Sequence, residues 1–152
     1  MKAVVQVVNF SEVKVEGQSV GKCSEGLLVL LGVAETDTKA EAELLARKVC
    51  NLRVLCDQND KMNLSVLDTM GSMLVVSNFT LCADTSKGNR PSFINPARPE
   101  ISEPLYEYFI ECVKLNGVSE VGKGQFGADM KIEAHLNGPV TVLLDTDIWS
   151  KR

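Results

Sequence analysis

The chain has a single histidine, His135, and no cysteine pair at C-x-x-C spacing. A Ser-His-Asp triad would have to use that histidine, which lies in a strand-like stretch beside Leu136, where such a residue belongs to a surface or core edge. Cys23, Cys50, Cys56, Cys82 and Cys112 are odd in number and widely spaced. They read as buried reduced thiols, with neither a disulfide framework nor a zinc site. No metal and no cofactor is expected. No apolar run reaches membrane-spanning length, and the longest, "GLLVLLGVA", suits a buried strand. No small-residue cleavage site follows "MKAVVQVVNF", so a signal peptide is not expected and the cytoplasm is the expected compartment. The net charge of −4 excludes a global positive field, so an RNA partner would be held by local, shape-based contact. A Gly-rich phosphate loop is also missing, because "GSMLVV" and "GKGQFG" lack the strand-to-helix setting that one requires.

What is present is enough for one core. With 152 residues, 45% of them hydrophobic, the chain forms a single domain, 1–152, without covalent staples. Residues 2–9, 12–16, 19–23 and 26–33 read as an antiparallel meander of strands. Thr38 with Glu41 three residues on is a capping box, and Ala42, Leu45, Ala46, Val49 and Leu52 follow at helical spacing. "LRVLCD" reads as a strand, "DQNDKMN" as a polar turn, and "SMLVVSNFTL" as a strong strand that turns polar after Val76. The loop "CADTSKGNRPSFINPARPE" holds three of the five prolines, and loops of that length carry function or a partner. A second helix is predicted from near Ser102, with Pro104 in its first turn and Leu105, Phe109, Cys112 and Val113 as its buried stripe. "ADMKIEAHL" and "PVTVLLD" close the chain as two strands. The fold class is α/β: mainly antiparallel sheet, with two main helices packed on one side.

Side-chain chemistry is scarce. Asp84, Asp129 and Glu133 are candidate acid and base carboxylates, but no spacing selects a pair. Lys87 and Arg90 are equally readable as phosphate contacts or solvated cations. Phe79, from its strand, reads as a core aromatic, Trp149 as an anchor for the tail, and Lys151-Arg152 as a frayed end. Gly138-Pro139 stands at the mouth of the strand Val140–Leu144, where proline cannot donate to a ladder. It is either a turn that starts an edge strand or a backbone device with its carbonyls aimed at something.

"SNFTL" (77–81), "NRPSF" (89–93), "GQFGADM" (124–130) and "NGPVT" (137–141), together with "EGLLVLLGV" and "KMNLSV", resemble the D-aminoacyl-tRNA deacylase family in order and spacing. The resemblance runs through the whole chain. It implies a homodimer that hydrolyses the ester between a D-amino acid, or glycine, and the 3′-terminal adenosine of tRNA, as quality control in translation. Residue by residue, it implies that Ser77, Asn78, Phe79 and Thr80 line one wall of a pocket, with the Thr80 backbone N–H in the oxyanion position. Phe126 and Met130 resemble the positions that pack against the terminal adenosine. Gly138 and Pro139 resemble a cis Gly-Pro whose carbonyls enter the partner's pocket and exclude L side chains.

Four positions depart from the family pattern. Val7 stands after Gln6 where arginine is usual, so an arginine associated with holding the Gly-Pro backbone is missing. Asn78 replaces glutamine, and Leu136-Asn137 replaces Asn-Asp. They leave two alternatives beside the chirally selective esterase: a deacylase with altered stereochemistry, and a non-catalytic dimer that binds the tRNA end.

Overall fold

The computed structural model describes residues 1–150. Its central element is β1, Lys2–Val15, one long strand where two were expected. The break near Asn9 is a bulge, because the chain keeps its direction and only the register shifts. One edge of β1 is shared: β3 (Gly26–Gly32) pairs with its first half and β2 (Gln18–Cys23) with its second, both antiparallel. The expected meander is therefore replaced by two strands in succession along one partner. The other edge belongs to β8, Lys131–Asp145, into which the two expected closing strands merge.

The sheet continues in parallel through β6 (Ser72–Ser77) and β7 (Val121–Lys123). The continuous apolar run of β6 follows from burial on both faces. Met73 and Val75 enter the main core, while Leu74 and Val76 enter a second cluster with Val8, Val13 and Leu28. Two short strands, β4 (Leu55–Cys56) and β5 (Met62–Leu64), form a hairpin around the polar turn. Cys56 is exposed there, against expectation, because β4 lies outside the main sheet; the other four cysteines are buried, and all five are free.

Helix α1, Lys39–Cys50, starts where its cap predicts. Ala40 N donates to Thr38 Oγ1 at 3.2 Å, and Thr38 N donates to Glu41 Oε2 at 2.7 Å. Helix α2, Pro99–Leu115, begins one turn earlier than expected. Pro99 takes the first helical position, where a missing N–H costs no intrahelical bond, and Pro104 falls inside the helix. Leu105, Phe109, Cys112 and Val113 are buried as the stripe predicts, and both helices pack on the same main core. The terminal helix α3, Thr146–Ser150, brings Trp149 against that core, with Lys48 Nζ 5.4 Å from its ring centroid. Lys151-Arg152 lie outside the described residues. No helix among the described residues is long and apolar enough to cross a membrane.

Candidate active site

The polar end of β6 opens a cleft. Ser77 pairs with Leu31 of β3, and Asn78 N donates to Leu31 O at 2.8 Å. The chain then leaves the sheet: Phe79–Cys82 form a 3-10 turn, not the end of the expected strand. Gly32 permits this close approach, since a Cβ there would lie 2.9 Å from Leu81 Cβ and 3.1 Å from Asn78 O. At the start of the turn, the Phe79 and Thr80 N–H groups have no acceptor among the described residues, as orphan donors at a helical start do. The Thr80 hydroxyl donates to Asn78 Oδ1 at 2.5 Å.

The cleft, about 570 Å³, brings together most of the residues singled out from the sequence: Ser77, Asn78 and Phe79 on one wall, Phe126 and Met130 on another. Thr80 stands one residue beyond the lining. Phe79 and Phe93 meet edge to face, 5.2 Å between centroids, and form an aromatic lip. Phe79 is 57% exposed and so is not the core aromatic its strand-like setting suggested; the 3-10 turn carries its ring out of the sheet.

Tyr106 joins the walls from below. It is buried, its ring centroid is 5.9 Å from that of Phe126, and its hydroxyl donates to Val75 O at 2.8 Å. Val75 O also accepts from Gly124 N at 3.0 Å, so one carbonyl of β6 holds both α2 and the loop that carries Phe126. Burial pushes the Tyr106 phenol far above its ordinary value, so it serves as a fixed donor. Met130 lies across Gly124, where a Cβ would come within 2.7 Å of its sulfur.

Several candidates are not brought together. His135 is exposed on β8, 5.7 Å from the Phe10 ring, and does not line the cleft, so no triad forms around it. Asp84 accepts from Ser86 N at 2.9 Å, Asp129 pairs with Lys131 at 3.1 Å, and Glu133 with Lys14 at 3.5 Å; none lines the cleft. Lys87 and Arg90 are exposed and also outside it. Among the described residues, Arg98, at the start of α2, is the one side chain in the lining that is charged at neutral pH. Neither Arg98 nor Tyr106 was singled out in the sequence as a site residue. Among the described residues, no three His, Cys, Asp or Glu side chains gather as a metal site.

Gly138 and Pro139 are exposed on β8, joined by a cis peptide, and do not line this chain's own cleft. Leu136 pairs with Val8 and Thr141 with Gln6, so residues 137–140 bulge out against the single residue Val7. The Val7 side chain is buried in the main core. The bulge is held from either side instead: Asn137 Nδ2 donates to Asn9 Oδ1 at 3.2 Å, and Gln6 Nε2 to Thr141 Oγ1 at 3.5 Å.

Residues 4–145 match the family described as D-Tyr-tRNA(Tyr) deacylase. The chain belongs to this deacylase family. It is 49% identical over 146 residues to a D-aminoacyl-tRNA deacylase of Thermosipho melanesiensis, covering 96% of this chain and 97% of that one. A D-aminoacyl-tRNA deacylase of Dehalococcoides mccartyi is 52% identical over 146 residues, 96% of this chain and 95% of its own. Among solved structures, a c-Myc DNA unwinding element binding protein superposes with a TM-score of 0.90 at 39% identity, covering 95% of this chain and 98% of that one. A probable eukaryotic D-amino acid tRNA deacylase reaches 0.81 at 15% identity, covering 94% and 97%, a likeness of fold alone. The deacylase membership accounts for the motifs around Ser77, Phe126 and Gly138, which all fall inside the matched span.

Proposed function

We propose that this protein hydrolyses the ester bond of D-aminoacyl-tRNA, and of mischarged glycyl-tRNA, releasing free amino acid and tRNA as quality control in translation in the cytoplasm. The observation that carries the reading is the pair of Phe79 and Thr80 N–H groups, without an acceptor among the described residues, beside an aromatic-lined cleft in a chain of the deacylase family. Water adds to the ester carbonyl carbon, and the Thr80 N–H stabilises the oxygen that becomes negative. Collapse of the tetrahedral intermediate breaks the bond to the 3′ oxygen of adenosine, which leaves with a proton. Among the described residues no carboxylate or histidine lines the cleft to activate the water, so the adenosine 2′-hydroxyl relays the proton, accepting one from the water and passing its own to the departing 3′ oxygen. Ser77 and Asn78 form the polar wall, Asn78 holding the Thr80 side chain, and Phe79, Phe126 and Met130 pack against the substrate.

The protein acts as a two-fold homodimer. Among the described residues the long β8 strand pairs only with β1, and it exposes Ile132, Leu136 and Leu143, a liability that a second copy removes. In the dimer, Gly138 and Pro139 enter the partner's cleft and exclude L side chains. A second reading, a deacylase with relaxed stereochemistry, is favoured by Val7 alone, because its side chain faces the core and leaves the bulge to the two amide contacts.

The test is release of amino acid from matched D-, L- and glycyl-tRNA, beside tRNA-end binding and sedimentation. Rapid release from the D and glycyl esters by a dimer, with the L ester spared, is expected. Equal cleavage of D and L esters would favour the second reading, and binding without cleavage a non-catalytic dimer.

A further inference from the structure

We propose that Arg98 forms a phosphate subsite at the cleft, taking the phosphodiester on the 5′ side of the terminal adenosine. The proposal rests on reading the cleft as an aminoacyl-tRNA esterase site. Charge is the starting point. The chain is acidic as a whole, yet its 83–98 loop holds Lys87, Arg90 and Arg98 against Asp84 alone. Of these cations, only Arg98 lines the cleft, and every other lining side chain among the described residues is neutral at pH 7.

The backbone of Arg98 is fixed while its side chain is uncommitted. Its carbonyl accepts from Ile101 N and Ser102 N, each at 2.9 Å, and from Ser102 Oγ at 3.0 Å. Its guanidinium has no hydrogen bond and no ion pair among the described residues. Asp84, the one carboxylate of the loop, is turned to Ser86 N. Exposed Arg98 thus brings a planar fork of N–H donors, on a rigid base, to the lining of a cleft that supplies it with no anion.

The substrate's own chemistry decides which anion it takes. In an aminoacyl ester the carboxyl group is consumed by the ester, and the amino acid presents an ammonium, which a guanidinium repels. The only anions common to every aminoacyl-tRNA are phosphates. Arg98 thus belongs to the nucleotide end of the cleft, where it gives affinity without reading sequence.

Two small esters isolate the contact: a D-amino acid on the 3′ oxygen of adenosine, and the same amino acid on adenosine 5′-monophosphate. The unmodified protein is expected to cleave the phosphate-bearing ester with a kcat/KM about tenfold higher, the difference lying in KM, for one charge-assisted contact. In Arg98→Ala the ratio falls to near one, and in Arg98→Lys part of it returns. For full-length D-aminoacyl-tRNA, the slope of log(kcat/KM) against log salt becomes shallower by about 0.7 in Arg98→Ala, as loss of one single-strand phosphate contact requires. An undiminished ratio and slope in Arg98→Ala would overturn the proposal. So would a loss confined to D-aspartyl and D-glutamyl esters, which would assign Arg98 to acidic side chains. Cleavage of D-aminoacyl-tRNA with no preference between the small esters removes the subsite and keeps the esterase. Failure to cleave any of the three removes the esterase reading, and the subsite with it.

Discussion

Asn137 reaches across from β8 to donate a hydrogen bond to Asn9 of β1, 3.2 Å away, next to the bulge that carries Gly138 and Pro139. Asn9 is itself the residue skipped between the Val8–Leu136 and Phe10–His135 pairs, so its side chain is free to act as a clasp. An exposed neutral hydrogen bond contributes about 0.5–1.5 kcal/mol. Replacement of Asn9 by Ala is expected to lower the ratio of D- to L-ester cleavage roughly two- to tenfold while the D rate changes little. Paired rate measurements check this, and an unchanged ratio would show that the clasp has no part in stereochemical selection.

Thr80 tests the part of backbone against side chain. Its hydroxyl is already donated to Asn78 Oδ1, and among the described residues no base lines the cleft to activate it. Thr80→Ala keeps the N–H and should slow cleavage about tenfold, near 1.4 kcal/mol. A nucleophile would cost on the order of 10⁴-fold or more. A folded, substrate-binding but inactive variant would make the hydroxyl the nucleophile after all.

Tyr106→Phe removes one of two donors to Val75 O and leaves the Gly124 bond in place. The expected loss is about 1 kcal/mol in urea unfolding. Because the same ring supports Phe126, KM should rise severalfold with kcat nearly kept. Wild-type stability together with a wild-type KM would remove Tyr106 from the support of the cleft.

Four carboxylates tie stability to pH. Hydrogen bonds from the Thr38 side chain hold Glu41 below its usual value, and backbone N–H groups do the same: Lys61 for Asp57, Ser65 for Asp68 and Ser86 for Asp84. A carboxylate with a depressed folded-state value stabilises fully above its unfolded pKa, about 3.9–4.3, and loses that contribution as pH falls through the folded value. The urea midpoint should therefore change little through these groups between pH 7 and 5 and drop steadily below about pH 4.5. A midpoint that holds to pH 3 would show that these caps and turns do not act on stability.

How legible each element was depended on how local its signals are. The α1 cap and stripe lie within fifteen residues and read correctly. The start of α2 was misplaced because two prolines, Pro99 and Pro104, both suit a first turn, and only the packing of Ser102 and Tyr106 into the cleft distinguishes them. β7 was missed because three residues carry no period, and its pairing with β6 is wholly non-local. Asn78–Leu81 looked like strand, since nothing in "NFTL" records that Gly32 lets a turn close over β3. At the site, Ser77, Asn78, Phe79, Phe126 and Met130 were found through motif order, whereas Arg98 and Tyr106 belong to no motif singled out in the sequence and become visible only once α2 meets β6.

The central claim is that hydrolysis proceeds through the Thr80 N–H and the substrate's own 2′-hydroxyl, without a catalytic side chain. The most direct measurement compares, for the unmodified protein, single-turnover cleavage of D-aminoacyl-tRNA ending in adenosine and in 2′-deoxyadenosine, with the amino acid on the 3′ oxygen of both. Loss of a general acid–base group costs about 10²–10⁴ in rate, so the deoxy substrate should be cleaved at least about a hundredfold more slowly at saturating enzyme. Undiminished cleavage of the deoxy substrate would contradict the mechanism and require a protein base that the cleft does not display.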